Sequence, residues 1–234
     1  MRRSATIAAL AALVAVSLPG PPRAGAHSPE PSRPDEFIRG AFAPAFVPPE
    51  PGTYELPPIG RVASFVLRDT AGRAVDTGAL MAGRIAVVSF IYTACPDRLG
   101  CPLASLTLRD LQTRLRETGL DRDTVLVSIS FDPERDRPAQ LAKYAQIYDA
   151  DPGLWHFLTA PSGRVLDTVL SNYGQDRTRE RDERGRPTGR IRHVLKVFLV
   201  DRDGYVRNVY SAGFLVPALV VNDIRTVLGR GPAR

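Results

Sequence analysis

The chain has 234 residues, 44% of them hydrophobic, which suits one cored domain with attachments. Its 31 Lys and Arg against 25 Asp and Glu give a net charge of +6; the bases are almost all arginine, since lysine occurs only at Lys143 and Lys196. These bases are interleaved with acids and form no nucleic-acid-binding motif, so nucleic acid is excluded as a partner.

The N-terminus reads as a leader. Arg2 and Arg3 precede an uncharged apolar run, residues 4–18, and "PGPPRAGA" ends in the small-x-small pattern Ala24-Gly25-Ala26. The run is short of the ~20 apolar residues of a membrane span. Residues 1–26 are therefore expected to be a signal peptide cleaved after Ala26, with an uncleaved anchor as the second reading. Either one exports the remainder, to the periplasm or the outer face of the cytoplasmic membrane. Residues 27–58 hold nine prolines from Pro29 to Pro58 and are expected to form an extended tether; Phe37, Phe42, Phe46 and Tyr54 allow parts of it to lie on the domain.

Residues 59–230 form the predicted domain. "RVASFVLRDT" and "RAVD" predict an N-terminal β-hairpin turning at Ala71-Gly72. Residues 84–93, "RIAVVSFIYT", are a continuous apolar run suited to a fully buried strand. Leu103, Leu106, Leu111 and Leu115 are spaced for an amphipathic helix ending at Gly119. Residues 123–132 predict a second buried strand, residues 137–148 a helix with Pro138 in its first turn, residues 154–160 a short strand, and residues 163–174 a helix. Residues 175–190, with six arginines and four acids, read as a solvated excursion, with a mobile flap as the functional version. A hairpin starting at His193 and turning at Asp203-Gly204, then a helix over 216–229, complete an α/β fold: a central mixed sheet with helices on both faces.

The only two cysteines, Cys95 and Cys101, lie past the end of the 84–93 strand and at the start of the next helix. Strand ends carry the sites of open α/β sheets, and helix N-termini stabilise thiolates. His193 would start a strand antiparallel to 84–93, near Cys95; His156 reads as a core-edge side chain and His27 as part of the tail. Two thiolates and an imidazole suit copper in either oxidation state, whereas structural zinc takes four ligands. The pattern equally fits a thiol–disulfide oxidoreductase with Cys95 as nucleophile and Cys101 as resolving thiol, a peroxidase, or a static disulfide.

"SFIYTACP", "SISFDPERDRPAQLAKYA" and "RHVLKVFLVDRDG", in that order, resemble the signature segments of the Sco (SenC) copper chaperones of cytochrome c oxidase assembly. The likeness covers about residues 50–229. It implies a thioredoxin-like fold and one copper ion on Cys95, Cys101 and His193. It also implies an oxidase subunit as partner, whose binuclear copper centre receives copper or has its thiols kept reduced; a thioredoxin-like reductant is a further candidate partner. Family members carry a shorter spacer than the five residues between these cysteines; Gly100 would let the wider loop bend. The resemblance puts an acid at Asp132, which either orients a ligand from behind or caps the turn in "DPERD". Tyr92 reads as strand packing.

Overall fold

A computed structural model describes residues 46–229. The expected leader and residues 27–45 of the expected tether lie outside the described residues. The elements are β1 Gly60–Arg61, β2 Val66–Arg68, β3 Ala74–Asp76, α1 Thr77–Met81, β4 Ile85–Ile91, α2 Cys101–Glu117, β5 Thr124–Ser130, α3 Pro138–Ile147, β6 Trp155–Leu158, α4 Gly163–Asn172, β7 Thr178–Arg181, β8 Pro187–Arg192, β9 Val197–Val200, β10 Tyr205–Tyr210 and α5 Pro217–Val227.

Every residue of β4 and β5 is buried, as strands covered on both faces must be. They pair in parallel from Ile85↔Thr124 to Ile91↔Ser130, and β6 extends the parallel set. On the other side β9 runs antiparallel to β4, from Ala86↔Val200 to Ser89↔Val197. With β10 and β1 the sheet order is β1-β10-β9-β4-β5-β6. Helices cover both faces. On one, Ser105 of α2 and Tyr144 of α3 bond at 3.0 Å, and Tyr144 stacks near Phe157 of β6. On the other, Tyr173 at the end of α4 sets its ring edge on Phe90 of β4 at 5.3 Å. This is the thioredoxin-like arrangement that the resemblance implies.

Local chemistry sets the helix ends. α2 buries Leu103, Leu106, Leu111 and Leu115 and is followed by Gly119 at φ +66°, a left-handed conformation that favours glycine. Ser162 caps α4 by accepting the Val165 N–H at 3.3 Å.

Four details depart from expectation. The first predicted strand is two: β1 joins the main sheet beside β10, and only β2 pairs with β3. Asp76 then caps a short helix, α1, by accepting the Ala79 N–H. The 175–190 excursion is a two-stranded ribbon, β7–β8, whose backbone ladder forms without an apolar face; of its strand residues Ile191 alone is buried. The strand expected from His193 begins at Val197, leaving His193 in the connection between β8 and β9.

Residues 46–58 run along the domain. Pro49 carbonyl accepts from Asn222 at 2.8 Å, the Gly52 N–H donates to Thr226 at 3.0 Å, and the Tyr54 hydroxyl donates to Asp223. Phe46 meets Phe214 at 5.6 Å. Among the described residues no helix is long and apolar enough to cross a membrane.

Candidate metal centre

The C-terminal end of β4 builds the site. Tyr92 leaves the strand, its carbonyl accepts the Cys95 N–H at 3.1 Å, and a five-residue loop leads to Cys101, the first residue of α2. Asp97 shapes that loop. Its carboxylate takes the Leu99 N–H at 3.0 Å, and its carbonyl takes the Gly100 N–H at 3.1 Å. A Cβ at Gly100 would stand 3.2 Å from the Asp97 carboxylate, closer than ordinary contact, so a side chain at this position would press on the residue that shapes the loop.

Cys101 is fully buried, and its Sγ accepts the Tyr92 N–H at 3.4 Å. Cys95 is half-buried, and both thiols are free. β9 runs antiparallel to β4 and pairs with it up to Ser89↔Val197, so the chain enters β9 at the sheet end where β4 leaves toward Cys95. There His193 Nε2 lies 3.4 Å from Cys101 Sγ. Its Nδ1 stands 2.9 Å from the Ile191 carbonyl; a carbonyl only accepts, so Nδ1 carries a proton and Nε2 faces the sulfur. The ring is held between Phe131 at 4.7 Å and the edge-on Tyr92 ring at 5.5 Å.

The Cys95 Sγ, Cys101 Sγ and His193 nitrogen all lie within 4.8 Å of one another. With bonds of about 2.0 Å to nitrogen and 2.3 Å to sulfur, trigonal ligands sit about 4 Å apart. The three donors bracket that spacing, from 3.4 Å between His193 and Cys101 to the 4.8 Å limit of the group, and the donor set fits a soft or borderline ion. Hydrogen bonding from Cys101, against the opposing pull of burial, and from His193 holds the Cys95 thiol well below its ordinary value. Burial pushes the Cys101 thiol up. Burial also works to lower the His193 pKa, but the bonds to Cys95 and Ile191 outweigh it and raise it. The site thus pairs an accessible, anion-prone sulfur with a buried, proton-holding one.

Asp132 lies at the same sheet end and is buried. Its carboxylate pairs with Arg179 of β7 at 2.8 Å, while its carbonyl accepts the Arg135 and Asp136 N–H groups. Tyr92 does more than pack its strand: besides touching His193, its hydroxyl faces the Ile191 N–H at 3.4 Å. His156 sits half-buried on β6, outside the group. Sequence reasoning missed Asp136. This buried carboxylate accepts from the Thr93 N–H at 3.1 Å, the Thr93 hydroxyl at 2.6 Å and the Ser130 hydroxyl at 2.6 Å, tying β4 to β5 just ahead of Cys95. The last acid of "DPERD" was the available signal.

Comparison with known proteins gives one consistent result. The SCO1/SenC family model matches residues 57–229. A SCO1 protein homolog of Bacillus subtilis (strain 168) is 28% identical over 163 residues, 69% of this chain and 76% of the relative. The copper-bound structure of ScoI from Bradyrhizobium japonicum aligns with TM-score 0.56 and 26% identity over 70% of this chain and 98% of its own. BsSco, a member of the Sco family of cytochrome c oxidase assembly proteins in which a disulfide switch was identified, aligns with TM-score 0.59 and 25% identity over 74% and 98%.

Proposed function

The chain belongs to the SCO1/SenC family, and we propose that it is an exported copper metallochaperone that delivers copper to, or maintains the thiols of, the binuclear copper site of cytochrome c oxidase. The observation that carries this reading is the convergence of Cys95, Cys101 and His193 from distant parts of the chain. The copper-bound ScoI and the oxidase-assembly role named for the BsSco family support it. The sequence of residues 1–26, read as a leader, supports export; left uncleaved, it would be a membrane contact.

Copper is the cargo. Cys101 and His193 form the rigid half of its seat, one buried at a helix start and the other locked by Ile191 and two aromatic rings. Cys95, half-exposed on the loop, is the half that opens. Three protein donors leave a coordination position for a ligand of the accepting subunit, so transfer proceeds by ligand exchange.

The asymmetry of the thiols also favours a second reading, an exported thiol–disulfide oxidoreductase. Cys95 thiolate attacks a partner disulfide and releases one partner thiolate. Cys101 then loses its proton, for which His193 Nε2 at 3.4 Å is the adjacent base, and attacks Cys95 Sγ. The second partner thiol leaves, and two electrons have passed to the partner. A thioredoxin-like reductant would restore the pair.

Copper(II) titration of the thiol-reduced protein, wild type against His193→Ala, tests the chaperone reading. The expected result is weakened binding and loss of the nitrogen contribution to the copper(II) spectrum. Unchanged affinity and spectrum in the variant would defeat it and leave the thiol chemistry.

A further inference from the structure

Arg179 touches none of the three donors, yet it is mechanically connected to one of them. Its Nη2 lies 2.8 Å from Asp132 Oδ1 and 3.3 Å from Glu134 Oε2. The Asp132 side chain is 1% exposed and that of Arg179 34%, so the pair is shielded far better than surface ion pairs are. In the β7–β8 ladder Arg179 is the cross-strand partner of Ile191. Ile191 is the residue whose carbonyl holds His193 Nδ1 and whose N–H faces the Tyr92 hydroxyl. One ion pair therefore links the corner after β5 to the carbonyl that orients the imidazole.

The ribbon needs such a clamp. With only Ile191 of its strand residues buried, it has almost no core of its own, and an isolated two-stranded ribbon is marginal in water. The other ties reach the same corner: Arg177 donates to the Phe131 carbonyl, and Arg135 to the Gly189 carbonyl at 3.4 Å. Phe131 is in turn the ring on which His193 rests. Downstream, Gln175 donates to the Val194 carbonyl at 2.9 Å. The histidine's position is thus set from outside its own segment, and the Arg179–Asp132 pair acts on the residue nearest to it.

We propose that Arg179 is a positioning residue for His193: paired with Asp132, it fixes Ile191 and so keeps Nε2 aimed at Cys101. The metal arm of the test rests on the copper reading above; the spectroscopic arm does not. Arg179→Met removes the charge and keeps the length, and Asp132→Asn removes the opposite charge and keeps the shape. In metal-free, thiol-reduced, nitrogen-15-labelled wild type, at a pH where the imidazole is neutral, the His193 ring gives one sharp Nδ1–H tautomer. In either variant it becomes a tautomer mixture or broadens by exchange. Copper(II) affinity falls about 10- to 100-fold, as for other residues that orient a metal-binding histidine, and the double variant is no worse than the worse single one.

Wild-type His193 resonances with copper(II) affinity within about twofold in Arg179→Met, or strictly additive effects in the double variant, would overturn the assignment. So would the same His193 changes in Asp223→Asn, a buried carboxylate on the β10–α5 side bonded to Tyr54, Asn208 and Tyr210, because they would mark general destabilisation. If wild type binds copper(II) without a nitrogen ligand, the copper reading fails while the nitrogen-15 arm still decides the role of Arg179. Should Arg179→Met not fold, Asp132→Asn carries both arms.

Discussion

Asp136 offers a sharp test of how the site is held. It is 1% exposed, and three donors converge on it from the ends of β4 and β5. In Asp136→Ala the Thr93 and Ser130 hydroxyls rotate and partly re-pair, but the Thr93 N–H cannot. A part-buried amide left without its partner costs about 1 kcal/mol, and each weakened hydroxyl bond about 1 kcal/mol more, for a total of about 3 kcal/mol. Asp136→Asn keeps the volume and an acceptor oxygen and should cost under about 2 kcal/mol. Burial raises the Asp136 pKa above its ordinary value of 3.8, outweighing the hydrogen bonds that lower it. The folded chain therefore holds this proton more tightly than the unfolded chain. The residue's contribution is full below the unfolded value and drains away as pH rises through the folded one. Asp136→Asn should accordingly cost more below the ordinary value of 3.8 than at neutral pH. Urea unfolding followed through Trp155, the single tryptophan and a buried one, measures all of this, provided the m-values match. A loss below about 1 kcal/mol in the alanine variant, or an asparagine variant worse than alanine, would refute the reasoning.

Gly189 sits at φ +83°, where a Cβ would also stand 2.7 Å from Arg135 Nη1. Because that guanidinium tip can yield, Gly189→Ala should cost mainly the left-handed backbone penalty of about 1 kcal/mol, lowering Tm by about 2–4 °C in calorimetry; an unchanged Tm would mean the ribbon turns differently. Burial first, and Arg84 second, lower the His156 pKa below 6.5. The unfolded chain then binds more protons, so this group's contribution is full above about 6.5 and is lost as pH falls through the folded value. His156→Gln should flatten the fall of unfolding free energy between about pH 7 and pH 5, and identical slopes in the two proteins would contradict that assignment.

Patterns within short windows made most of the architecture legible. Unbroken apolar runs at 84–93 and 123–132 marked strands buried on both faces, because only such strands lack a polar alternation. The leucine spacing in residues 103–115 marked the helix that starts at Cys101, and the order of strands and helices placed both thiols at one end of the sheet. The antiparallel return of the late hairpin even put His193 within reach, although its strand starts four residues later than its apolar character suggested. The ribbon was not legible, since backbone ladders among arginines and acids leave no hydrophobic period.

Local patterns of residue types specify the two buried central strands, the main helices and the pair of thiols at a helix start, since each depends on residues close together in the chain. Only the tertiary structure decided what surrounds the sulfurs. Cys101 meets His193 across 92 residues, Arg179 meets Asp132 across 47, and Thr93 meets Asp136 across 43. The physical reason is that a buried polar group must find a partner wherever the fold supplies one, and no local pattern of residue types encodes that choice.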